Sequence, residues 1–187
     1  MLAISSAASF EAPPFSPEPW ELAQLMALMA ETSATNERFT ESKSLAVLRE
    51  PLRLTGTLAY QRPDRLEKHV LSPYEEHIVV EGNTLTLTAM DGKKKSIAIA
   101  KYPVIQAFVE SIRGTLAGDA NALKRFYHVA LTGDRRSWKL TLKPLDQGLA
   151  DYVHSIEVSG TEAQVTRVDI QEASGDNSVM TIHRDAS

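Results

Sequence analysis

The sequence predicts an α+β protein built on one strongly curved antiparallel sheet, an incomplete β-barrel whose concave face is covered by helices. Most of the chain consists of short segments in which apolar residues recur at every second position, a period typical of half-buried strands. Helical periods interrupt this pattern in a few places, without the regular strand–helix alternation that builds a parallel sheet. A sheet of about eleven short strands must curl strongly or close part of the way into a barrel.

The composition indicates a globular domain with no specialised chemistry. The 187 residues are 43% hydrophobic and 24% charged, enough to bury a core. The net charge of −4 and the lack of a recognition motif predict no nucleic-acid partner. The sequence contains no cysteine, which excludes disulfides, thiolate metal sites, cysteine nucleophiles and a lipid-modified cysteine anchor.

Residues 1–16 are set apart from the rest by their Ala, Ser and Pro content. The apolar run from Met1 to Ile4 is too short for a secretory signal, yet the following SSAAS has the small residues expected before a cleavage site. These residues are therefore either a disordered tail or the remnant of a signal peptide. Residues 17–187 are expected to form one domain.

The first half of the domain reads as one helix followed by strands. Apolar residues at three- and four-residue spacing predict a helix over 20–34. Two-residue alternation then predicts a strand from Arg38 to Val47, with Leu45 and Val47 on one face. Gly82-Asn83 and Asp91-Gly92 are strong hairpin signals. The further strands expected here cover 52–60, 66–71, 76–81, 84–90 and 96–100.

The second half begins with a helical insert. Pro103 opens an apolar helical stripe that Gly114 and Gly118 weaken or end, and Asp119 is placed to cap a second helix through Phe126. A short helix is expected at 146–154. The strands expected here cover 127–131, 138–142, 156–159, 165–171 and 178–183.

The helices at 20–34 and 103–126 are the available covers for the apolar face of the sheet. Helices that close imperfectly over a curved sheet leave an aliphatic cavity that can hold an acyl chain, at roughly 0.8 kcal/mol per buried methylene. An ordinary filled core gives the same periodicity, so both interpretations stay open. The residues expected to line such a cavity are Leu25, Met26, Met29, Leu58, Tyr60, Leu66, Phe108, Val109 and Ile112.

The dipeptide Arg62-Pro63 interrupts the alternating stretch LTGTLAYQRPDRLEKHVL. Proline cannot donate to a central ladder, so it marks a strand end, and Arg62 is then expected at the rim of the concave face. A guanidinium there can hold a helical lid closed by donating to its backbone carbonyls, in the role of a latch. The alternative is an exposed turn arginine.

Catalytic patterns are poor. The five histidines have no metal-binding helical spacing, and no nucleophile elbow, phosphate loop or dinucleotide fingerprint is present. Glu75, Glu76 and His77 are adjacent at the start of a strand, where neighbouring side chains point to opposite faces. We therefore expect no catalytic residue, no metal and no cofactor.

The stretch from Glu37 to Leu87 resembles the outer-membrane lipoprotein carrier (LolA-like) family. The matching features are Phe39 in a strand, Gly56 at the head of the next, Arg62-Pro63 at its end, and a turn at 81–83. The closing VDIQEASGDNSVMTI resembles the family's last hairpin. The likeness covers roughly 20–183, and sparse aromatics with a Gly-interrupted insert indicate a divergent branch.

The resemblance implies a non-enzymatic periplasmic carrier. It implies a monomeric protein that takes acylated cargo, a lipoprotein or a lipid, from an inner-membrane donor complex and passes it to an outer-membrane acceptor. It also implies that Arg62 holds the lid closed. Two alternatives remain: a regulatory module that senses lipid or a partner on the same fold, and a hydrolase using His77 near Glu75 or Glu76.

Overall fold

The α+β fold class predicted from the sequence is confirmed. The computed structural model describes residues 20–32 and 34–184. They form a curved, unclosed antiparallel sheet of 11 strands in the order β6-β5-β4-β3-β2-β1-β11-β10-β9-β8-β7. The predicted tail at residues 1–16 lies outside the described residues.

The elements follow the predicted order of one helix, six strands, a helical insert and five strands. The helices are α1 Leu22–Ala30, α2 Pro103–Ala117, α3 Ala120–Lys124 and α4 Gln147–Ala150, with a 3₁₀ turn at Ile99–Lys101. The strands are β1 Ala34–Ser44, β2 Leu52–Gln61, β3 Arg65–Ser72, β4 Glu76–Glu81, β5 Thr84–Thr88, β6 Lys94–Ala98, β7 Tyr127–Asp134, β8 Ser137–Pro144, β9 Val153–Thr161, β10 Gln164–Glu172 and β11 Asn177–His183.

Two meanders make up the sheet, and the pairing of β1 with β11 joins them. The strand order places β6 and β7 at the two edges. The chain that leaves β6 must therefore return to the opposite edge, and it does so through α2 and α3. This connection brings the helical insert across the concave face, where apolar side chains of both meanders need cover.

The predicted alternation in β2 is confirmed. Leu54, Gly56 and Tyr60 are buried, whereas Arg53 before them and Thr55 between Leu54 and Gly56 are exposed. Opposed residues of paired strands lie on the same face of the sheet. The registers therefore place the buried side of β2 on the same face as the apolar residues of β3 and β4 that pack against α2.

The predicted end of the first helix and the predicted end of the strand that follows it are both wrong. The helix predicted to run to residue 34 ends at Ala30, and β1 already begins at Ala34. The strand then ends at Ser44, so Leu45 and Val47 do not share a strand face, and Val47 is 89% exposed. The reason is pairing: Ser44 is the last residue opposed by β11, and Lys43 the last opposed by β2.

The short helix predicted at 146–154 is also too long. The Asp146 carboxylate accepts from the Leu149 amide and starts α4, but the helix ends at Ala150. The β-branched Val153 is already paired in β9. Tertiary pairing overrides the local helical signal here.

The helical insert agrees with the sequence at its junction. Asp119 caps α3 by accepting from the amides of Asn121 and Ala122 at 3.0 Å. Gly118 ends α2 with φ of 72°, a left-handed conformation suited to glycine. Gly114 does not end the helix; a Cβ there would lie 2.9 Å from Leu123, so glycine allows α2 and α3 to pack closely.

Candidate ligand-binding site on the concave face

Buried apolar residues of the concave face form three separate clusters. The helix-covered core joins α1, α2 and α3 to the strands β7–β9. The α2 cluster is formed by Val80, Ile99 and Val109 with Leu66, Leu85 and Ile105. The β1–β3 cluster is formed by Phe39, Leu54 and Val70 with Leu52, Leu58 and Met180, and it includes no helical residue.

Seven of the nine residues predicted to line one cavity are divided among these clusters. Leu25, Met26 and Met29 lie in the helix-covered core, and Phe108 packs against it. Val109 and Leu66 belong to the α2 cluster, and Leu58 belongs to the β1–β3 cluster. Tyr60 and Ile112 belong to none of the three. A role for these residues in ligand binding stays a prediction.

Two depressions open on the described part of the chain, and neither is lined by a helical residue. One depression of about 230 Å³ is lined by residues of β1, β2 and β3 near Tyr60 and Arg65. A second, of about 260 Å³, lies beside the β1–β2 connection, residues 45–51, and Gly175.

Arg62 contacts the ends of both long helices. Its Nε donates to the carbonyl of Thr32 at 2.6 Å, and its Nη2 donates to Ala30 at 2.6 Å and to Ala117 at 3.1 Å. These carbonyls follow or end α1 and α2, where helices leave acceptors unsatisfied. The cis peptide between Arg62 and Pro63 lies in the β2–β3 turn, residues 62–64, at the end of β2.

Arg113 makes the reciprocal connection, which the sequence reasoning missed. From α2, its guanidinium donates to the carbonyls of Asp64 and Gly82, in the β2–β3 and β4–β5 turns, at 2.6–3.0 Å. Its side chain is 12% exposed. A charged residue within the apolar helical stripe, beside a glycine, was the available signal. Together Arg62 and Arg113 tie the helices to the rim of the sheet.

Tyr60 lies beneath these two arginines. It is 2% exposed, and its hydroxyl is buried without a hydrogen-bond partner among the described residues. Burial raises the pKa of Tyr60, while the positive charges of Arg62 and Arg113 act in the opposite direction. The hydroxyl is therefore neutral at physiological pH and has unused hydrogen-bonding capacity on the concave face.

A buried ion pair interrupts the apolar concave face beside the β1–β3 cluster. Glu41 accepts from Lys68 Nζ at 2.5 Å and from the Ser178 hydroxyl at 2.6 Å. The Nζ atom of Lys43 lies 3.6 Å from the Oε1 atom of Glu41. The opposed positions of Glu41 in β2 and β11 are Leu54 and Met180, which places its carboxylate on the concave face. Sequence reasoning missed this pair because its members are far apart along the chain.

Both members of the pair have shifted pKa values. Burial by itself raises the pKa of Glu41, but the nearby Lys68 ammonium and the hydrogen bonds from Lys68 and Ser178 outweigh it and hold the pKa below its ordinary value. Burial lowers the pKa of Lys68, and the Glu41 carboxylate offsets this only in part. The carboxylate is therefore ionised at neutral pH.

Gly56 allows β2 to pack closely between its two neighbouring strands. Gly56 is opposed to Phe39 on one side and to Val70 on the other. A Cβ at this position would lie 1.9 Å from the His69 carbonyl oxygen and 2.9 Å from the Phe39 ring. The Lys68 ammonium lies 5.0 Å from the centre of that ring. Glycine is therefore required here by close packing.

His77, the histidine considered for hydrolysis, lies on the opposite, convex face, as does His69. His69 and His77 are opposed to each other, with ring centres 4.9 Å apart. His77 is hydrogen-bonded to Glu67 at 2.7 Å, and His69 to Glu75 at 3.2 Å. In the part of the chain that the structure describes, no group of three or more potential ligands could hold a metal ion. No helix there is long and apolar enough to cross a membrane.

Solved structures that resemble this chain come from several bacteria. The LolA superfamily protein NE2245 from Nitrosomonas europaea is 11% identical, with 89% of this chain and 93% of that one covered and a TM-score of 0.47. The matched chain of the Pseudomonas aeruginosa MucA/MucB complex is 13% identical, with 89% of this chain and 58% of that one covered and a TM-score of 0.45. LprF from Mycobacterium bovis is 13% identical, with 92% of this chain and 96% of that one covered and a TM-score of 0.34. No curated protein matches the sequence.

A family model agrees with the arrangement of the sheet and its helical cover. The model is described as outer membrane lipoprotein carrier protein LolA-like, and it matches residues 15–186, nearly the whole chain. The chain therefore belongs to the outer membrane lipoprotein carrier protein LolA-like family.

Proposed function

We propose that the protein is a periplasmic carrier that binds the acyl chains of a lipoprotein or lipid between its helices and its sheet, and shuttles them between membranes. The observation that carries the proposal is the set of hydrogen bonds from Arg62 to the ends of α1 and α2. Family membership supports the same function, because LolA-like proteins are periplasmic binding and sorting proteins.

The hydrogen bonds of Arg62 join the end of β2 to the ends of the two helices, so the helical cover can open when they break. Burial of the apolar stripes of α1 and α2 stabilises the closed state. Burial of an acyl chain in their place stabilises the open, loaded state by about 0.8 kcal/mol per methylene. The hydrogen bonds of Arg62 and Arg113 favour the closed state and so compete with the cargo. This competition keeps binding weak and reversible, which transfer to an acceptor requires.

Replacement of Arg62 by leucine tests the latch. Loss of its hydrogen bonds, at about 0.5–1.5 kcal/mol each, is expected to favour the open state and tighten acyl binding by about tenfold. Release to acceptor vesicles is expected to slow correspondingly. The measurement is transfer of a fluorescent fatty acid between donor and acceptor vesicles, with circular dichroism to confirm folding.

Arg65→Leu is the matched control. Arg65 is in the same region of the chain but pairs with Glu67 and Glu81, and within the described residues it donates no hydrogen bond to a helix. Equal transfer rates for Arg62→Leu, Arg65→Leu and the unmodified protein would argue against the latch.

Native mass spectrometry of protein purified from the periplasm tests cargo binding itself. A bound acyl species is the expected result. A protein partner recovered without lipid would favour the sensing alternative, and ester turnover abolished by His77→Ala in a folded protein would favour the hydrolase.

A further inference from the structure

The Glu41–Lys68 pair is a charged group on a face that is otherwise built to hold apolar chains. Half-buried apolar residues surround it, including Leu58 and Met180. A buried ion pair contributes little net stability compared with apolar residues of similar size, because both charges lose their hydration. Packing alone therefore does not explain why this face carries a carboxylate and an ammonium.

Lys68 retains unused hydrogen-bonding capacity. Its ammonium has three N–H donors, and the hydrogen bond that the structure shows uses one of them, on Glu41. Its side chain is 22% exposed, so a group from outside the protein can reach it. The β1–β3 cluster beside it includes no helical residue, so the helices do not need to unpack fully for such contact.

A second polar atom on the same face lacks a partner. Glu37 lies opposite Leu58, which in turn lies opposite Lys68, so the three side chains form one row across β1, β2 and β3. The Oε2 atom of Glu37 is buried and accepts no hydrogen bond from any described residue. The row thus contains an acceptor without a donor, Glu37 Oε2, and a donor with unused N–H bonds, the Lys68 ammonium.

The balance of charge around Lys68 selects the kind of group it can bind. Lys43 repels the ammonium, and the carboxylates of Glu41 and Glu76 attract it. The charges of the two lysines and two glutamates cancel, so no net positive charge attracts a phosphate or a carboxylate. An uncharged acceptor, such as a carbonyl, needs only the spare N–H bond and meets no repulsion.

We propose that Lys68, held by Glu41, binds the carbonyl oxygen of the ester or amide linkage at the head of the acyl chains. This inference rests on the proposed carrier function and adds that the protein recognises acylated molecules by their linkage as well as by their apolar chains. An amide linkage also offers an N–H, which Glu37 can accept. The polar row then fixes the depth to which the chains enter, with the carbonyl beside β3 and the methylenes beneath the helices.

Paired ester and ether probes test the inference. Dioctanoylglycerol and 1,2-di-O-octylglycerol have chains of similar length, but only the first has carbonyl groups. Both are titrated against the unmodified full chain by displacement of a fluorescent fatty acid. The ester is expected to bind about tenfold more tightly, as a hydrogen bond to a charged donor predicts.

The double variant Glu41→Leu/Lys68→Met removes the pair without leaving a buried charge unpaired. It is expected to bind both probes with the affinity that the unmodified protein has for the ether. The control is Lys139→Met/Glu157→Leu, which removes an ion pair of 2.9 Å on the convex face. This control is expected to keep the full preference for the ester.

The outcomes separate the two proposals. Equal affinity of the unmodified protein for ester and ether overturns the linkage inference and leaves the carrier function intact, and this comparison stands even if the double variant does not fold. An ester preference that persists in the folded double variant also overturns the inference. Failure of both probes to bind overturns the carrier function.

Discussion

The two halves of the concave face differ in what they bury. The helix-covered core, built on β7–β9, packs 13 buried residues, all apolar or aromatic, against α1, α2 and α3. The β1–β3 cluster has three such residues and, beside them, the buried Glu41 and half-buried Lys68. One half is a conventional core, whereas the other has few apolar contacts and a charged pair, features expected of a region that opens at low cost.

This difference assigns separate tasks to the two halves. Dense packing around Trp138, Leu140 and Leu142 holds the shape of the sheet. The sparser half lies beside the rim where Arg62 and Arg113 hold the helices. Under the proposed carrier function, this separation lets the region proposed to bind cargo rearrange without unfolding the whole domain.

Truncation of one leucine in each half is expected to give the largest contrast. Leu140→Ala, in the fully buried core, is expected to lower the free energy of unfolding by about 3 kcal/mol, since it leaves a cavity that cannot collapse. Leu58→Ala, at a half-buried position of the other cluster, is expected to cost about 1 kcal/mol. Chemical denaturation measures both. Equal losses would mean that the two halves are packed alike.

Breaking the buried pair is expected to have the next largest effect. Glu41→Leu leaves the Lys68 ammonium without its carboxylate and is expected to destabilise the protein by about 2 kcal/mol. The double variant Glu41→Leu/Lys68→Met is expected to recover most of this loss, because no charge is then left unpaired. A double variant as unstable as the single one would show that the pair itself supports the fold.

A pH dependence of stability is expected to have the smallest effect. The pKa of Glu41 is held below its ordinary value of 4.5 in the folded protein. Its contribution to stability is therefore complete above that value and is lost as the pH falls through the lower, folded-state pKa. The difference in unfolding free energy between the unmodified protein and Glu41→Gln should shrink between pH 6 and pH 3. A constant difference would contradict the shift.

Local features of the fold could be predicted from neighbouring residues. The Gly82-Asn83 hairpin, the cap at Asp119 and the position of Pro63 at a strand end all depend on residues a few places apart. The ends of β1 and α4 could not, since they depend on where partner strands stop. Arg62 was predicted at the rim from its proline, whereas Arg113 and Glu41 were missed, because their partners lie 27 to 137 residues away along the chain.

By itself, the sequence determined the alternation of strands, the helical stripes and the turns, because these follow from side-chain size, backbone freedom and hydrogen bonds over short stretches. Only the tertiary structure decided which carbonyls Arg62 contacts, that Lys68 in β3 reaches Glu41 in β1, and that the concave face has one dense and one sparse half. Those contacts depend on strand register and sheet curvature, which arise from all the strands together.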